Sequence, residues 1–287
     1  MYKRSNNSKN NGYSLFELAI TLVVLGILSS SYLYYRFVQH PYNTKSIEDE
    51  KIRIIEDAIL SFFSQNGRLP CPADPTLMAN SNSFGIEALD ISVTPAACSA
   101  SVERTNISGE MLYKGMLPTR TLGIADEYAF DVYQNRFAFI VQQSFINNDT
   151  TNTSCALGAS ASDDNSNPIY RCVRGQASGS VNSATLDIEI RSGYNILPIL
   201  NNDAVYVILS YGENGYGAYP RYSSTRLQMP SNQDEIINSN NNNQIIQSSP
   251  GSSFDDVVVY KTRNDLVSNC NLYFNNACTN RFGIEIK

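Results

Sequence analysis

Residues 13–35 have the sequence YSLFELAITLVVLGILSSSYLYY, in which Glu17 is the only charged residue. At about 1.5 Å per residue, a helix of this length extends over about 34 Å, slightly more than the hydrocarbon core of a bilayer. We therefore predict that residues 13–35 form a transmembrane helix.

The segment before this helix is basic. Residues 1–12, MYKRSNNSKNNG, contain Lys3, Arg4 and Lys9 and no acidic residue. Basic flanking segments stay on the cytoplasmic side of a membrane, so residues after about position 36 are predicted to be exported.

Two other interpretations compete for this segment. A secretory signal peptide has a shorter apolar stretch, of about 7 to 15 residues, followed by a small-x-small cleavage site. Here the stretch is longer and ends in SSSYLYYR. A plain signal anchor does not explain why Glu17 is present. Inserting an acidic residue into a membrane helix is unfavourable by on the order of 3 kcal/mol on insertion scales.

The residues Gly12-Tyr13-Ser14-Leu15-Phe16-Glu17, followed by LAITLVVLGIL, resemble the N-terminus of type IV pilins and type II secretion pseudopilins. The resemblance implies cleavage between Gly12 and Tyr13 by a prepilin peptidase, and methylation of the new amino terminus. Tyr13 stands where the family usually has Phe. Tyr34 stands where a Pro is frequent. The loop sequence SYGENGYG (210–217) also resembles a segment of these ectodomains.

In this family, the acid at the fifth mature position pairs with the amino terminus of a neighbouring subunit as helices bundle. The resemblance assigns that role to Glu17. It also implies four partners: other pilin or pseudopilin subunits, the prepilin peptidase, an inner-membrane assembly platform and the membrane itself. The implied location is the bacterial inner membrane, as a single-pass protein with a periplasmic C-terminal domain, and then the filament.

The expected function is therefore that of a structural subunit, minor or tip, of a type IV pilus or type II secretion pseudopilus, and not of an enzyme. Two alternatives remain open. A signal-anchored periplasmic enzyme would need a convergent polar pocket, which the sequence does not reveal. A surface adhesin would bind through the polar loops expected at 145–183 and 231–253, of which the asparagine-rich stretch 238–244 is expected to be mobile.

The segment 36–67 is predicted to continue the helix on the periplasmic side. Its apolar residues recur every three to five positions, which indicates one buried face, and Gly67 followed by Pro70 predicts the helix end. The positions expected on that face are Ile47, Ile52, Ile55, Ile59 and Phe62 or Phe63.

Residues 68–287 are predicted to form a globular ectodomain of the α+β class. Short β-type runs alternate there with Asn, Ser, Gly and Pro clusters, which favours an antiparallel sheet. The whole chain would then be pilin-like, with a long N-terminal helix packed on an antiparallel sheet and long disulfide-linked loops. The expected strands are 128–144, as a hairpin turning near Gln134-Asn135, and 184–190, 204–210, 256–261 and 281–287.

The even number of cysteines fits an oxidised, exported domain. Six cysteines allow fifteen pairings, and neighbour pairs that close short loops are favoured. The expected disulfides are Cys71–Cys98, Cys155–Cys172 and Cys270–Cys278.

Charge and composition exclude several other functions. The formal net charge is −6, so no basic surface for nucleic acid is evident, and His40 is the single histidine. No cofactor is expected. Asp163-Asp164-Asn165 could hold Ca²⁺ in a loop, although a solvated loop is favoured, and Asp255-Asp256 is expected to begin a strand.

Overall fold

The computed structural model describes residues 15–34, 40–93, 97–107, 110–146, 188–195, 199–251 and 253–274. The chain divides into two compact units, one ending at Asp49 and the other beginning at Glu50. The helices are α1 (Leu15–Tyr34), α2 (His40–Asn66), α3 (Gln143–Ile146), α4 (Gln233–Ser239) and α5 (Arg263–Tyr273). The strands are β1 (Leu89–Asp90), β2 (Ala97–Cys98), β3 (Glu103–Ile107), β4 (Glu110–Met116), β5 (Ala138–Gln142), β6 (Ile188–Arg191), β7 (Ile199–Ser210), β8 (Gln244–Ile246) and β9 (Val257–Thr262).

Helix α1 is apolar on every side, and none of its residues is buried. It is long enough and apolar enough to cross a membrane, a property that a membrane anchor and a signal sequence share. A helix that is apolar all round normally lies in a membrane or inside a larger core.

From Glu50 onward, α2 is amphipathic. Its buried stripe, formed by Ile52, Ile55, Ile59 and Phe63, packs into the main hydrophobic core. Ile47, which the sequence placed on the same face, is 54% exposed. The helix ends as predicted: Gly67 has a φ of 64° and donates its N–H to the Phe63 carbonyl at 2.7 Å.

The main sheet has seven strands and is antiparallel except for the pair β6–β8. Strands run in the order β3-β4-β5-β7-β6-β8, and β9 also pairs with β7. Strand β7 is central because its second half pairs with both β5 and β9. The α+β class predicted from the sequence is confirmed.

Both faces of this sheet are buried. Side chains alternate along β5 and β7, so Phe139 and Tyr206 join the core that contains the α2 stripe. Ile140 and Val207 point to the other face and form a second core with Ile190. Lys261 of β9 also forms an ion pair with Glu56 of α2, with 2.7 Å between Nζ and Oε1.

Several expected elements differ from those observed. The expected hairpin 128–144 does turn at Gln134, whose φ is 68°, but its first arm is a 3-10 turn at Asp126–Ala129 followed by an isolated bridge at Phe130. The Asp131 carboxylate accepts backbone N–H groups of the turn, which favours a compact loop over a paired strand.

The segment 231–253, expected to be a polar loop, contains α4 and β8. Asn232 caps α4 by accepting the Asp234 N–H at 2.8 Å, and Asn238 is fully buried. The expected run 281–287 lies outside the described residues.

Candidate functional site

The residues predicted for cleavage and assembly fall at the start of the chain. Gly12 and Tyr13 lie outside the described residues, and Glu17 lies in the first turn of α1. Two hydroxyl groups farther along α1 are satisfied within the helix: Ser29 and Ser31 donate to the carbonyls four residues earlier, at 2.7 and 3.0 Å. Such internal bonding suits a helix whose surroundings offer no water.

One of the three predicted disulfides, Cys71–Cys98, lies entirely within the described residues and is confirmed. Cys71 and Cys98 are joined, with their Cα atoms 5.6 Å apart, and the bond closes the segment that contains β1. Cys270 is buried and disulfide-bonded, but its expected partner Cys278 lies outside the described residues. The expected pair Cys155–Cys172 lies outside them too, as does the Ca²⁺ candidate 163–165.

A cluster of three carboxylates lies where β7 ends and β9 begins. One carboxylate oxygen from each of Glu235, Asp255 and Asp256 lies within 4.8 Å of the other two. Asn214 holds two of the groups together, since its Nδ2 donates to Glu235 Oε1 at 2.9 Å and to Asp255 Oδ1 at 2.7 Å.

The chain builds this cluster from three segments. Asp255 and Asp256 directly precede β9, as the sequence predicted for the start of a strand, and Glu235 lies in the first turn of α4. The turn after β7 approaches Asp255 so closely that a Cβ on Gly212 would collide with it. Gly212 also has a φ of 62°, so the turn requires glycine for two reasons.

Asp256 is the most enclosed of the three acids, at 4% exposure. Its Oδ2 accepts from Asn238 Nδ2 at 2.9 Å, whereas its Oδ1 has no hydrogen-bond partner among the described residues. Burial raises the pKa of the Asp256 carboxyl group to about 8, and the charges of Glu235 and Asp255 add to the rise. Burial also raises the pKa of Glu235.

The cluster was not recognised in the sequence. Glu235 lies twenty positions before Asp255, and no motif spacing connects the two. Two sequence features pointed toward this site: the adjacent acids before an apolar run and the glycine-rich turn SYGENGYG. Neither feature indicates that the two segments and Glu235 are neighbours, because only the fold brings them together.

Comparisons of the chain with protein-family models, with curated proteins and with solved structures find no match. The fold itself defines an α+β protein that has an apolar N-terminal helix and a disulfide between Cys71 and Cys98. That helix could serve as a membrane anchor or as a signal sequence.

Proposed function

We propose that this chain is a structural subunit, minor or tip, of a type IV pilus or type II secretion pseudopilus. In this proposal, a prepilin peptidase cuts between Gly12 and Tyr13, and α1 then moves from the inner membrane into a bundle of identical or related helices. The region from Glu50 onward remains outside as the folded ectodomain.

The observation that carries the proposal is the unburied, all-round apolar surface of α1. Side chains on every side of the helix are exposed, among them Phe16 at 74%, Leu22 at 62% and Leu28 at 61%. Lipid and a helical bundle both shield such a surface from water. A filament subunit occupies these two environments one after the other, first the membrane and then the bundle.

In this proposal, Glu17 sets the axial position of α1 relative to the helices of neighbouring subunits. It is the one charged residue between Leu15 and Tyr34, and it lies four residues after the proposed new amino terminus. A carboxylate in an apolar bundle is stabilised by an opposite charge, so the amino terminus of an adjacent copy is its natural partner. The pairing would fix the axial offset between subunits.

Mass spectrometry of the chain isolated from its native cells tests the processing step. We expect a mature protein that begins at an N-methylated Tyr13. A chain that keeps residues 1–12 would instead support an ordinary signal anchor, and with it the alternative of a signal-anchored periplasmic enzyme.

Substitution in α1 tests the assembly step. We expect Glu17→Ala to insert into the membrane normally but to be lost from sheared filaments, by at least about tenfold. Glu50→Ala on the exposed face of α2 is the matched control, because it removes the same kind of side chain outside the proposed bundle. Equal incorporation of Glu17→Ala and wild type would contradict the charge-pair role.

The carboxylate cluster supports a second candidate function, the binding of a divalent cation such as Ca²⁺. Oxygen atoms within 4.8 Å of one another can all reach a Ca²⁺ ion, which takes its ligands at about 2.3–2.6 Å. Asp256 Oδ1 is buried and has no hydrogen-bond partner among the described residues, so a bound cation would supply the partner that it lacks. The ion would link the end of β7, α4 and the start of β9.

Thermal unfolding in Ca²⁺ and in EGTA tests the cation site. We expect a saturable rise of the wild-type Tm with Ca²⁺ and no rise in Glu235→Gln, which keeps the shape and the hydrogen bond to Asn214 but loses the charge. Glu50→Gln, on the exposed face of α2, is the control and should respond like wild type. A wild-type Tm that is independent of Ca²⁺ would remove this candidate.

A further inference from the structure

Three strands of the main sheet have an outer edge that no other described strand covers. They are β3 and β8, at the two ends of the strand order, and β9, which pairs with β7 alone. Such an edge presents backbone N–H and C=O groups with which another strand can pair, and folded proteins normally block it. The three edges of this sheet differ in how they are blocked.

The edges of β8 and β3 are covered by asparagine residues of the chain itself. The side-chain amide of Asn238 pairs with Ile246 as a neighbouring strand would: its Nδ2 donates to the Ile246 carbonyl at 2.9 Å, and its Oδ1 accepts the Ile246 N–H at 2.7 Å. At β3, the Thr105 hydroxyl group donates to the Asn241 carbonyl at 2.8 Å. The segment that runs from α4 into β8 thus covers both edges.

The hydrogen-bond pattern of the sheet shows which backbone groups of β9 point outward. Leu117 donates its N–H to the carbonyl of Phe137, the residue before β5, so Phe137 and every second residue after it face β4. Ile140 belongs to the other set and faces its partner Val207, so Val207 faces β5 and not β9. Tyr260 lies opposite Val207 in β9 and therefore directs its own N–H and C=O away from β7.

The outer edge of β9 is blocked at its two ends and open between them. The Val258 carbonyl accepts from Gln247 Nε2 at 3.0 Å, as expected for a carbonyl that points away from β7. At the other end, the Thr262 N–H donates to Asp265 Oδ2 at 3.0 Å. Between these positions, the backbone N–H and C=O of Tyr260 have no hydrogen-bond partner among the described residues.

Apolar side chains flank this open edge on both faces of the sheet. Val257 and Val259 pack against the main core and Tyr260 packs against the second core, but all three are only partly buried. Helix α5 follows β9 directly and buries Leu266 and Cys270 in the main core. The edge thus offers an added strand both backbone groups to bond and apolar surface to cover.

The chain contains a sequence that suits this edge. Residues 281–287, RFGIEIK, alternate Phe282, Ile284 and Ile286 with polar residues or glycine, which is the pattern of a strand with one apolar face. Residues 263–280, which include α5, separate this sequence from β9. A parallel strand needs a connection of about a dozen residues or more, usually a helix, and this connection meets that requirement.

We propose that residues 281–287 bind along the outer edge of β9 as an additional, parallel strand that pairs with the backbone groups of Tyr260. The occupant belongs to the same chain, because the connection through α5 is long enough and α5 packs beside β9. The added strand closes an edge that can otherwise pair with a second copy of the chain. This proposal does not depend on filament assembly or on cation binding.

Amide hydrogen exchange of the full-length chain in a non-ionic detergent, resolved to single residues by electron-transfer fragmentation, tests the proposal. We expect the Tyr260 amide to exchange at least about tenfold more slowly than an unprotected amide, and to lose this protection in a chain shortened by residues 281–287. The Val259 amide, which faces β7, is the internal reference and should stay protected in both chains.

Two neighbouring substitutions separate strand pairing from a general effect of this segment. Ile284→Asp places a charge on the apolar side of the alternating pattern and should expose the Tyr260 amide as the truncation does. Glu285→Gln, on the opposite side of the same pattern, is the matched control and should leave the exchange unchanged. Ile284→Asp also keeps the test decisive if the shortened chain does not fold.

Two results would overturn the proposal. A Tyr260 amide that exchanges freely in the wild type would show that the edge of β9 is open to water. Protection of Tyr260 that survives the removal of residues 281–287 would show that another element covers the edge. Loss of that protection on dilution would then identify the other element as a second copy of the chain.

Discussion

The helix α1 and the part of α2 from Glu50 to Asn66 follow one another in the chain, but they differ in what covers their apolar side chains. In α1 no residue is buried, and apolar side chains point in all directions. In α2 the apolar residues form one stripe, in which Ile55, Ile59 and Phe63 are fully buried. The opposite face of α2 carries charges such as Arg53 and Asp57.

The difference shows how the pattern of apolar residues determines the partner of a helix. A single stripe can be buried by one sheet of the same chain, so α2 contributes directly to the stability of the ectodomain. An apolar surface that surrounds a helix cannot be covered from one side, so α1 requires lipid or several other helices. The predictions below separate these two kinds of helix by their effects on unfolding.

Truncation in the stripe of α2 should have the largest effect on stability. Phe63→Ala leaves a cavity in the main core and should lower the free energy of unfolding by about 4 kcal/mol. Leu25→Ala in α1 removes a 54% exposed side chain and should change it by less than about 0.5 kcal/mol in detergent. Urea unfolding can be followed by tyrosine fluorescence, because the chain has 18 Tyr and no Trp.

Similar losses for Phe63→Ala and Leu25→Ala would contradict the division between the two helices. It would mean that the apolar side chains of α1 are covered within the folded chain and not by a bilayer or by other subunits.

Removal of the Cys71–Cys98 bond should have the second largest effect. Both cysteines belong to the main core, which also holds Phe63, and the bond joins positions 27 residues apart. Cys71→Ala combined with Cys98→Ala should lower the free energy of unfolding by about 3 kcal/mol. The matched control is wild type under strong reduction, which should lose stability by at least as much. An unchanged urea midpoint in the double variant would contradict the prediction.

The parts of the fold that could be predicted are those with a local physical cause. The stripe of α2 follows from helical periodicity, and its end follows from the ability of Gly67 to adopt a positive φ. The turn at Gln134 was found because polar residues interrupt two apolar runs. Strand β9 was also found, because it is a short apolar run bounded by Asp256 and the capping residue Thr262.

Other parts depend on contacts between distant segments. Strand β4 carries Lys114 in its middle, a residue that sequence patterns assign to the surface, but the carbonyls of Asn238 and Asn240 come from more than 120 positions away. The carboxylate cluster has the same origin, since α4 supplies Glu235 and the start of β9 supplies Asp256. Asparagine-rich sequence suggested a mobile loop there, whereas Asn238 is held by Ile246 and Asp256.

Lys114 extends the comparison to charge, because it lies inside the folded region, whereas Glu17 lies on the unburied helix. Burial lowers the pKa of Lys114 to about 7, so above this pH the folded state loses a proton that the unfolded state keeps up to about pH 10.5. The unfolded state then binds more protons, and the free energy of unfolding should rise with pH. Between pH 8 and 9.5, the rise should be about 2 kcal/mol.

The measurement is urea unfolding at these two pH values, in buffers of equal ionic strength. Charges facing Lys114 are those of Arg226, Glu103 and Asp256, and the pKa of Asp256, about 8, limits its contribution to the beginning of this interval. Lys114→Met should abolish the rise, whereas Lys261→Met should retain it. A wild-type stability that is flat or falling over this interval would show that the buried ammonium group keeps its proton.

The exposed face of α2 should give the smallest effect and complete the comparison. Arg53 forms ion pairs with Glu50 at 2.7 Å and with Asp57 at 3.3 Å, and all three side chains are more than half exposed. Solvent screens such pairs, so Arg53→Gln should leave the urea midpoint of unfolding nearly unchanged. Glu56, on the same helix but paired with Lys261 in a less exposed position, is the contrasting site. If Arg53→Gln proved as destabilising as Phe63→Ala, the charged face of α2 would have to be covered in the assembled protein, and the helix could no longer be described as having one buried side.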